Sequence, residues 1–531
     1  MRNRSRGGSS TAGSRPDLVG PDPADTYEAD AIALMAQRRY ADAETLLREA
    51  LRLRPNSARL VNRLGSSVWE QGRPSEAEPL FARAVELSPN DSVFSNNLGL
   101  ALWDQGRHTE AAECYRRALD LNPDANDVRM NLGVVLSDLG RFDEAIEHLR
   151  EAVRIDPASP DTLQNLGMTL GRMGRWPEAL DYYDRALCMR PDYAEVHRNR
   201  AYGWLYTGDF ERGWPEHEWR LRCRRHVGCK VQRHPWRGEP LDGRGILLHA
   251  EQGFGDTLQF IRYAAKVKER GGLVLVAAQT RLLRIVARCP GVDLAFDGTS
   301  AVPSCHVHAP LMSLPAIFGT TQSTVPNQVP YLPTEPVVVE RWRQALGAAI
   351  GSDLPAVRDE RGALANGRRD RPVLVGVAWQ GSPQNPMDRF RSFPLAELAS
   401  VADVPGVRLV CVQAVDGLEQ IPALNGRFPI IELPSKRPRD FLDTAALISL
   451  LDLVITPDTA VAHLAGGLGI PVWLALSTVG EWRWMLGRED SPWYPTMRIF
   501  RQARFGEWDT VFRRMADVLR DVQARRSTSA A

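Results

Sequence analysis

Seven cysteines spread over 531 residues are too sparse for a disulfide framework and fit a reducing, cytoplasmic setting. No apolar run reaches the roughly 18 residues that a membrane helix requires, so no membrane span is expected. An excess of one charge is also missing. The 66 basic residues face 65 acidic ones, for a net charge of +1, which argues against nucleic acid as a partner. Metal-ligand spacing is scarce: "CHVH" (305–308) and Cys223-x-x-His226-x-x-Cys229 each lack a second ligand pair, so no metal or other cofactor is expected. The start, "MRNRSRGGSSTAGSRPD", is basic but has no apolar stretch of its own. It is therefore not a secretory signal, and residues 1–23 read as a disordered tail. The length exceeds what one core can organise, so two or three domains are expected.

What is present first is a period. Gly65, Gly99, Gly133 and Gly167 step by 34, and Pro55, Pro89, Pro123, Pro157 and Pro191 keep the same step. Ala77, Ala111, Ala145 and Ala179 do so as well. Small residues fall where two antiparallel helices touch, glycine ends the first helix, and proline follows the second. The pattern resembles the tetratricopeptide repeat. It predicts five clear repeats and a degenerate sixth over 24–226, an all-α superhelix whose units bury their apolar faces only by stacking. In the sixth unit the positions expecting Ala, an aromatic and Ala hold Gly213, His217 and Arg220. Asn97, Asn131, Asn165 and Asn199 also step by 34. Such a ladder can hold the backbone of a protein or peptide partner, as a similar ladder does in O-GlcNAc transferases, or it can bond neighbouring repeats to one another.

After a connector (227–240) the texture changes. "GILLHA" (245–250), "LVLVAA" (273–278) and "VDLAFD" (292–297) are short apolar runs between helical segments, the pattern of a parallel sheet. A Pro-rich, then charged stretch (336–370) around "VVVERWRQALGAAI" reads as a linker. The pattern restarts with "PVLVGVAW" (372–379), "VRLVCVQ" (407–413), "LDLVIT" (451–456) and "IPVWLAL" (470–476). The expected class is therefore α plus α/β, with one lobe over 241–335 and a second over 371–505. A closing amphipathic helix (506–525), free to cross back to the first lobe, precedes a short tail (526–531).

Three segments carry a resemblance. "EQGFGDTLQFIRYAAKV" (251–267), "NPMDRFRSFPLAELA" (385–399) and "TPDTAVAHLAGGLGIPVW" (456–473) resemble, in order, the acceptor-lobe loop, the basic segment and the donor-lobe motif of heptosyltransferase-type glycosyltransferases. The resemblance implies a two-lobed, Rossmann-like GT-B domain that takes a nucleotide-sugar donor. With repeats ahead of it, the layout is similar to that of O-GlcNAc transferases. The implied function is sugar transfer to a protein or saccharide acceptor recruited by the repeats. The alternative is an interaction scaffold with a weak or inactive transferase-like domain.

The residues suit those tasks. Helix N-termini favour anions, so the N–H groups of Thr459, Ala460 and Val461 can cradle a diphosphate. His463 lies one turn on. Taken alone it reads as a core histidine, and within the motif it reads as a phosphate ligand. Asp458 either caps this helix or accepts a sugar hydroxyl. Gly381 and Ser382 follow a strand where backbone can approach the diphosphate. Arg391, with Arg389 as the other choice, is the cation for the leaving group. Asp256 is either an acid at a helix start or, as the resemblance implies, the general base, with Glu251 behind it. Trp482, Trp484, Trp493 and Tyr494 either stack on a ligand or pack a core.

Overall fold

A computed structural model describes residues 22–223, 233–251, 253–298, 303–351, 354, 371–385, 387–433, 438–478 and 480–528. The expected tail over 1–21, His226 and Cys229 of the proposed metal spacing, and most of the linker after residue 351 lie outside them. The chain forms two compact units, Met1–Ala158 and Ser159–Ala531. The boundary falls inside the repeat array, not at its end near residue 226.

The first unit contains four helix pairs: Pro23–Ala36 with Tyr40–Leu53, Ala58–Glu70 with Pro74–Leu87, Ser92–Asp104 with His108–Leu121, and Asn126–Asp138 with Phe142–Ile155. The periodic glycines explain their close packing. A Cβ on Gly65 would lie 2.8 Å from the Phe81 ring, and one on Gly99 would lie 2.6 Å from Tyr115. The second, third and fourth pairs therefore close a glycine against the large side chain sixteen residues on. Successive pairs are joined by side chains as well. Trp69 Nε1 donates to Asp104 (2.7 Å) and Trp103 Nε1 to Asp138 (2.9 Å). The Asn ladder takes part here: Asn97 Nδ2 donates to Asn62 Oδ1 (2.9 Å), and Asn131 Nδ2 to Asn96 Oδ1 (3.1 Å). These amides bond neighbouring repeats through side chains while staying half-exposed.

The second unit begins with two more pairs, Pro160–Arg172 with Trp176–Met189 and Ala194–Thr207 with Phe210–His217. Two parallel sheets follow. The first has the order β1-β5-β2-β3-β4, from β1 (His234–Pro235), β2 (Gly245–His249), β3 (Leu273–Ala278), β4 (Leu294–Asp297) and β5 (Val307–Pro310). The second has the order β11-β10-β9-β6-β7-β8, from β6 (Val373–Val377), β7 (Val407–Cys411), β8 (Ile430–Ile431), β9 (Leu453–Thr456), β10 (Val472–Leu476) and β11 (Met497–Arg501). Counted from β6, this second order is 3-2-1-4-5-6, the doubly wound arrangement. The order of strand addition reverses between β6 and β9, where a crevice opens at the strands' carboxyl ends. The first sheet reverses likewise between β2 and β5.

Strands β1, β5, β8 and β11 were not among the expected runs. β5 is the "VHAP" that overlaps the proposed metal motif. There His306 Nδ1 accepts from Gly245 N (3.0 Å) and His308 shares a hydrogen bond with His249 (3.2 Å). The stretch read as linker holds a helix, Pro336–Ile350, ended by Gly351 in the left-handed conformation. The closing helix, Trp508–Thr528, does not cross back. Its Trp508, Val511, Phe512, Met515, Ala516 and Leu519 belong to the second lobe's core with Phe393, Leu395 and Leu398. The three-and-four spacing of these residues forms one apolar stripe, and that core absorbs all of it.

Candidate functional site

The two reversal points face one cavity of about 590 Å³, within the range of small-molecule sites. Its walls come from the loop after β2 (Gly253–Asp256), the loop after β6 (Gln380–Ser382), Arg391, and Asp458–Val461 with His463 after β9. Every proposed donor residue, together with Asp256 and Arg391, lines it. The Asn ladder does not. Arg389 is exposed beside the Phe390 ring. Glu251 is buried in an ion pair with Arg220 (2.9 Å) and accepts from Met312 N.

On the second lobe, the helix Ala460–Gly467 begins immediately after β9. Thr459 is its N-cap residue without a side-chain capping bond, and its hydroxyl instead meets that of Thr456 (3.1 Å). Ala460 and Val461, the first residues of the helix, line the cavity. His463 combines features of both earlier readings. It is buried, its ring stacks on Trp484 (5.3 Å between centroids), and Nδ1 shares a hydrogen bond with the Tyr494 hydroxyl (2.8 Å). Nε2 has no partner among the described residues. Burial, with Arg483, Arg262 and Arg391 nearby, holds the ring neutral, its pKa well below the usual range. Asp458 is buried as well. Burial raises its carboxyl above the ordinary range, opposed by Arg391 and Arg483.

Gly381 donates to Ser392 Oγ (3.0 Å). A Cβ there would press on the carboxylate of Asp388 and the guanidinium of Arg391, so a side chain at 381 would displace the Arg391–Asp388 pair (3.2 Å). On the first lobe, the short helix Phe254–Phe260 follows the glycine loop. Asp256 Oδ2 accepts from Gly253 N (3.1 Å) and Oδ1 from Arg483 Nη2.

Arg483 and Glu481 were missed in the sequence, although "GEWRW" after β10 places an acid and a base among tryptophans at a strand's carboxyl end. Arg483, 5 % exposed, also donates to Gln259 Oε1 (2.6 Å) and Glu481 Oε2 (2.9 Å). It thereby ties the lobes together behind the cavity. Two further lining residues were missed. Arg281, in the first turn after β3, has no ion pair among the described residues. Tyr202 comes from the sixth helix pair.

Trp482, Trp484, Trp493 and Tyr494 are buried. Trp482 and Trp493 pack with Phe210, Trp214, His217 and Phe260 where the sixth pair meets both lobes. The sixth pair's departures from the repeat pattern are explained there. His217 stands where earlier pairs have Phe81 or Tyr115. Arg220 reaches the buried Glu251, and Trp214 Nε1 donates to Thr320 O (2.9 Å). Among the described residues no group of three or more His, Cys, Asp or Glu is placed to hold a metal, and no helix is long and apolar enough to cross a membrane.

Comparison with known proteins identifies tetratricopeptide repeats at residues 29–92, 96–160 and 161–190. The chain is similar to protein FlbA of Caulobacter vibrioides, with 27 % identity over 412 residues. The match covers 64 % of this chain and 64 % of FlbA, so the chain spans under two thirds of that relative's length. The covered share is larger than the repeats occupy, so the likeness reaches into the α/β half. Among solved structures, YrrB, a tetratricopeptide-repeat protein with an unusual peptide-binding site, is 24 % identical. It aligns over 33 % of this chain and 89 % of its own, with a TM-score of 0.29. Pseudomonas aeruginosa PilF is 21 % identical over 38 % of this chain and 91 % of its own, with a TM-score of 0.34.

Proposed function

We propose that the α/β half is a GT-B-type glycosyltransferase domain that takes a nucleotide sugar in the cavity between its lobes, and that the repeats recruit the acceptor, a protein or a saccharide. One observation carries this reading. Three segments far apart in sequence, 253–256, 381–391 and 458–463, meet at the facing reversal points of two parallel sheets. The diphosphate lies against the N–H groups of Thr459–Val461 and the Nε2 edge of His463, whose neutral ring adds no charge of its own. Arg391 grips the phosphate oxygens as the leaving group gains charge. A carboxylate of the cavity takes the acceptor's proton. No metal or other cofactor enters this scheme, and the setting is cytoplasmic.

A second reading keeps the repeats as a protein-interaction scaffold and leaves the α/β half without turnover. It is favoured by the identified repeats and by Asp256, whose two oxygens are both engaged. Thermal shift of the full chain with UDP-, GDP- and ADP-sugars separates the two, because a donor at 100 times its Kd stabilises by about 2.7 kcal/mol. The transfer reading expects one nucleotide class to stabilise the chain, with the shift lost in Arg391→Ala and His463→Asn. A folded wild type that no donor stabilises leaves the scaffold standing.

A further inference from the structure

We propose that Glu481, and not Asp256, is the carboxylate that takes the acceptor's proton; this rests on the sugar-transfer reading. Both oxygens of Asp256 are already engaged. One accepts from Gly253 N and the other from Arg483. A proton on Asp256 would remove the first-lobe charge partner of a guanidinium that is 5 % exposed, leaving a buried cation poorly compensated.

Glu481 is arranged differently. Only Oε2 is engaged, by Arg483 Nη1 at 2.9 Å, and Oε1 has no partner among the described residues. Its side chain is 44 % exposed and that exposure opens on the cavity, whose wall it forms with Trp482 and Tyr202. It can therefore accept a proton on Oε1 while Oε2 keeps its bond to Arg483. The charged groups that face it are Asp458 and Asp256, which disfavour its ionised form, and Arg483 and Arg391, which favour it. Reduced hydration within the cavity is the larger influence, and together these hold the carboxyl above the ordinary range. A base so placed is stronger than a solvated glutamate.

The step balances. The acceptor's O–H proton passes to Glu481 Oε1 as the acceptor oxygen bonds the anomeric carbon. The bond from that carbon to the diphosphate breaks, and its electron pair leaves on the nucleoside diphosphate. Water in place of the acceptor gives free sugar and the same nucleoside diphosphate, which supplies an assay that needs no known acceptor.

The test measures nucleoside diphosphate release by the full chain from whichever UDP-, GDP- or ADP-sugar stabilises it. Glu481→Gln should keep the donor's thermal shift, lower release at least 100-fold, and lose the acidic limb of the kcat/KM profile. Glu481→Asp should restore part of the activity. Asp256→Asn should lower release less than tenfold. Release by Glu481→Gln at the wild-type rate, or a fall in Asp256→Asn as deep as in Glu481→Gln, overturns the assignment while sparing the transferase reading. A wild type with neither donor shift nor release overturns the transferase reading, and the assignment with it.

Discussion

The helix pairs before and after residue 158 share one sequence period but live in different surroundings. In the first unit repeated devices close the pairs and join them: glycine against an aromatic or leucine within a pair, tryptophan to aspartate and asparagine to asparagine between pairs. In the second unit the last pair is held by things that occur once, namely Trp214 on Thr320, Arg220 on Glu251, and His217 among tryptophans. A period therefore reports local fold, and the cooperative unit is set by where the non-periodic side chains go.

The largest test of that contrast is truncation. A chain beginning at Ser159 should retain one cooperative melt of the α/β body. One beginning at Arg233, lacking the last two pairs, should lose its near-ultraviolet circular dichroism and its sharp transition. A finer cut is Arg220→Met, which strands the buried Glu251 and should cost about 3–5 kcal/mol in urea unfolding of the second unit. Adding Glu251→Met should recover much of that loss, because replacing both members of a buried pair is far less costly than removing one.

Next comes His217→Phe. Burial, then Arg220, Arg483 and Arg198, press the His217 pKa well below its usual value. The unfolded chain therefore binds this proton first, near pH 6.5, and the folded state loses stability as pH falls below about 6.5. Each such histidine contributes a slope of about 1.4 kcal/mol per pH unit there, and His217→Phe should remove one such slope from urea unfolding between pH 7 and 5.5. The smallest effect belongs to the first unit. Arg141 and Glu144 pair on an exposed helix surface (side chains 44 % and 47 % exposed), so Arg141→Ala should change stability by less than about 0.5 kcal/mol.

Much of this was legible in the sequence. The 34-residue step fixes the helix pairs because the same contacts recur. Seven apolar runs gave seven strands, since buried parallel strands read as continuous apolar segments. The short or half-exposed strands β1, β5, β8 and β11 had no such signature. The cavity residues were found where a motif follows a strand. Glu481 and Arg483 lie among four aromatics whose pattern reports packing, and Arg220 stands out from the repeat pattern while its partner Glu251 does not, because it lies in another layer of the fold. The closing helix was legible as a helix but its packing partner was not, because amphipathicity reports that a face is buried, not against what.

Gly255 and His463 meet across the lobes: a Cβ at 255 would sit 2.7 Å from the imidazole Cδ2. Any side chain at 255 is therefore limited by the ring at 463. A methyl group at 255 requires a smaller ring or a shifted helix at 463, and the shift would carry with it the N–H groups of Thr459–Val461. The two motifs are thus coupled through one contact, and relatives of this chain that carry a side chain at 255 are expected to carry something smaller than histidine at 463.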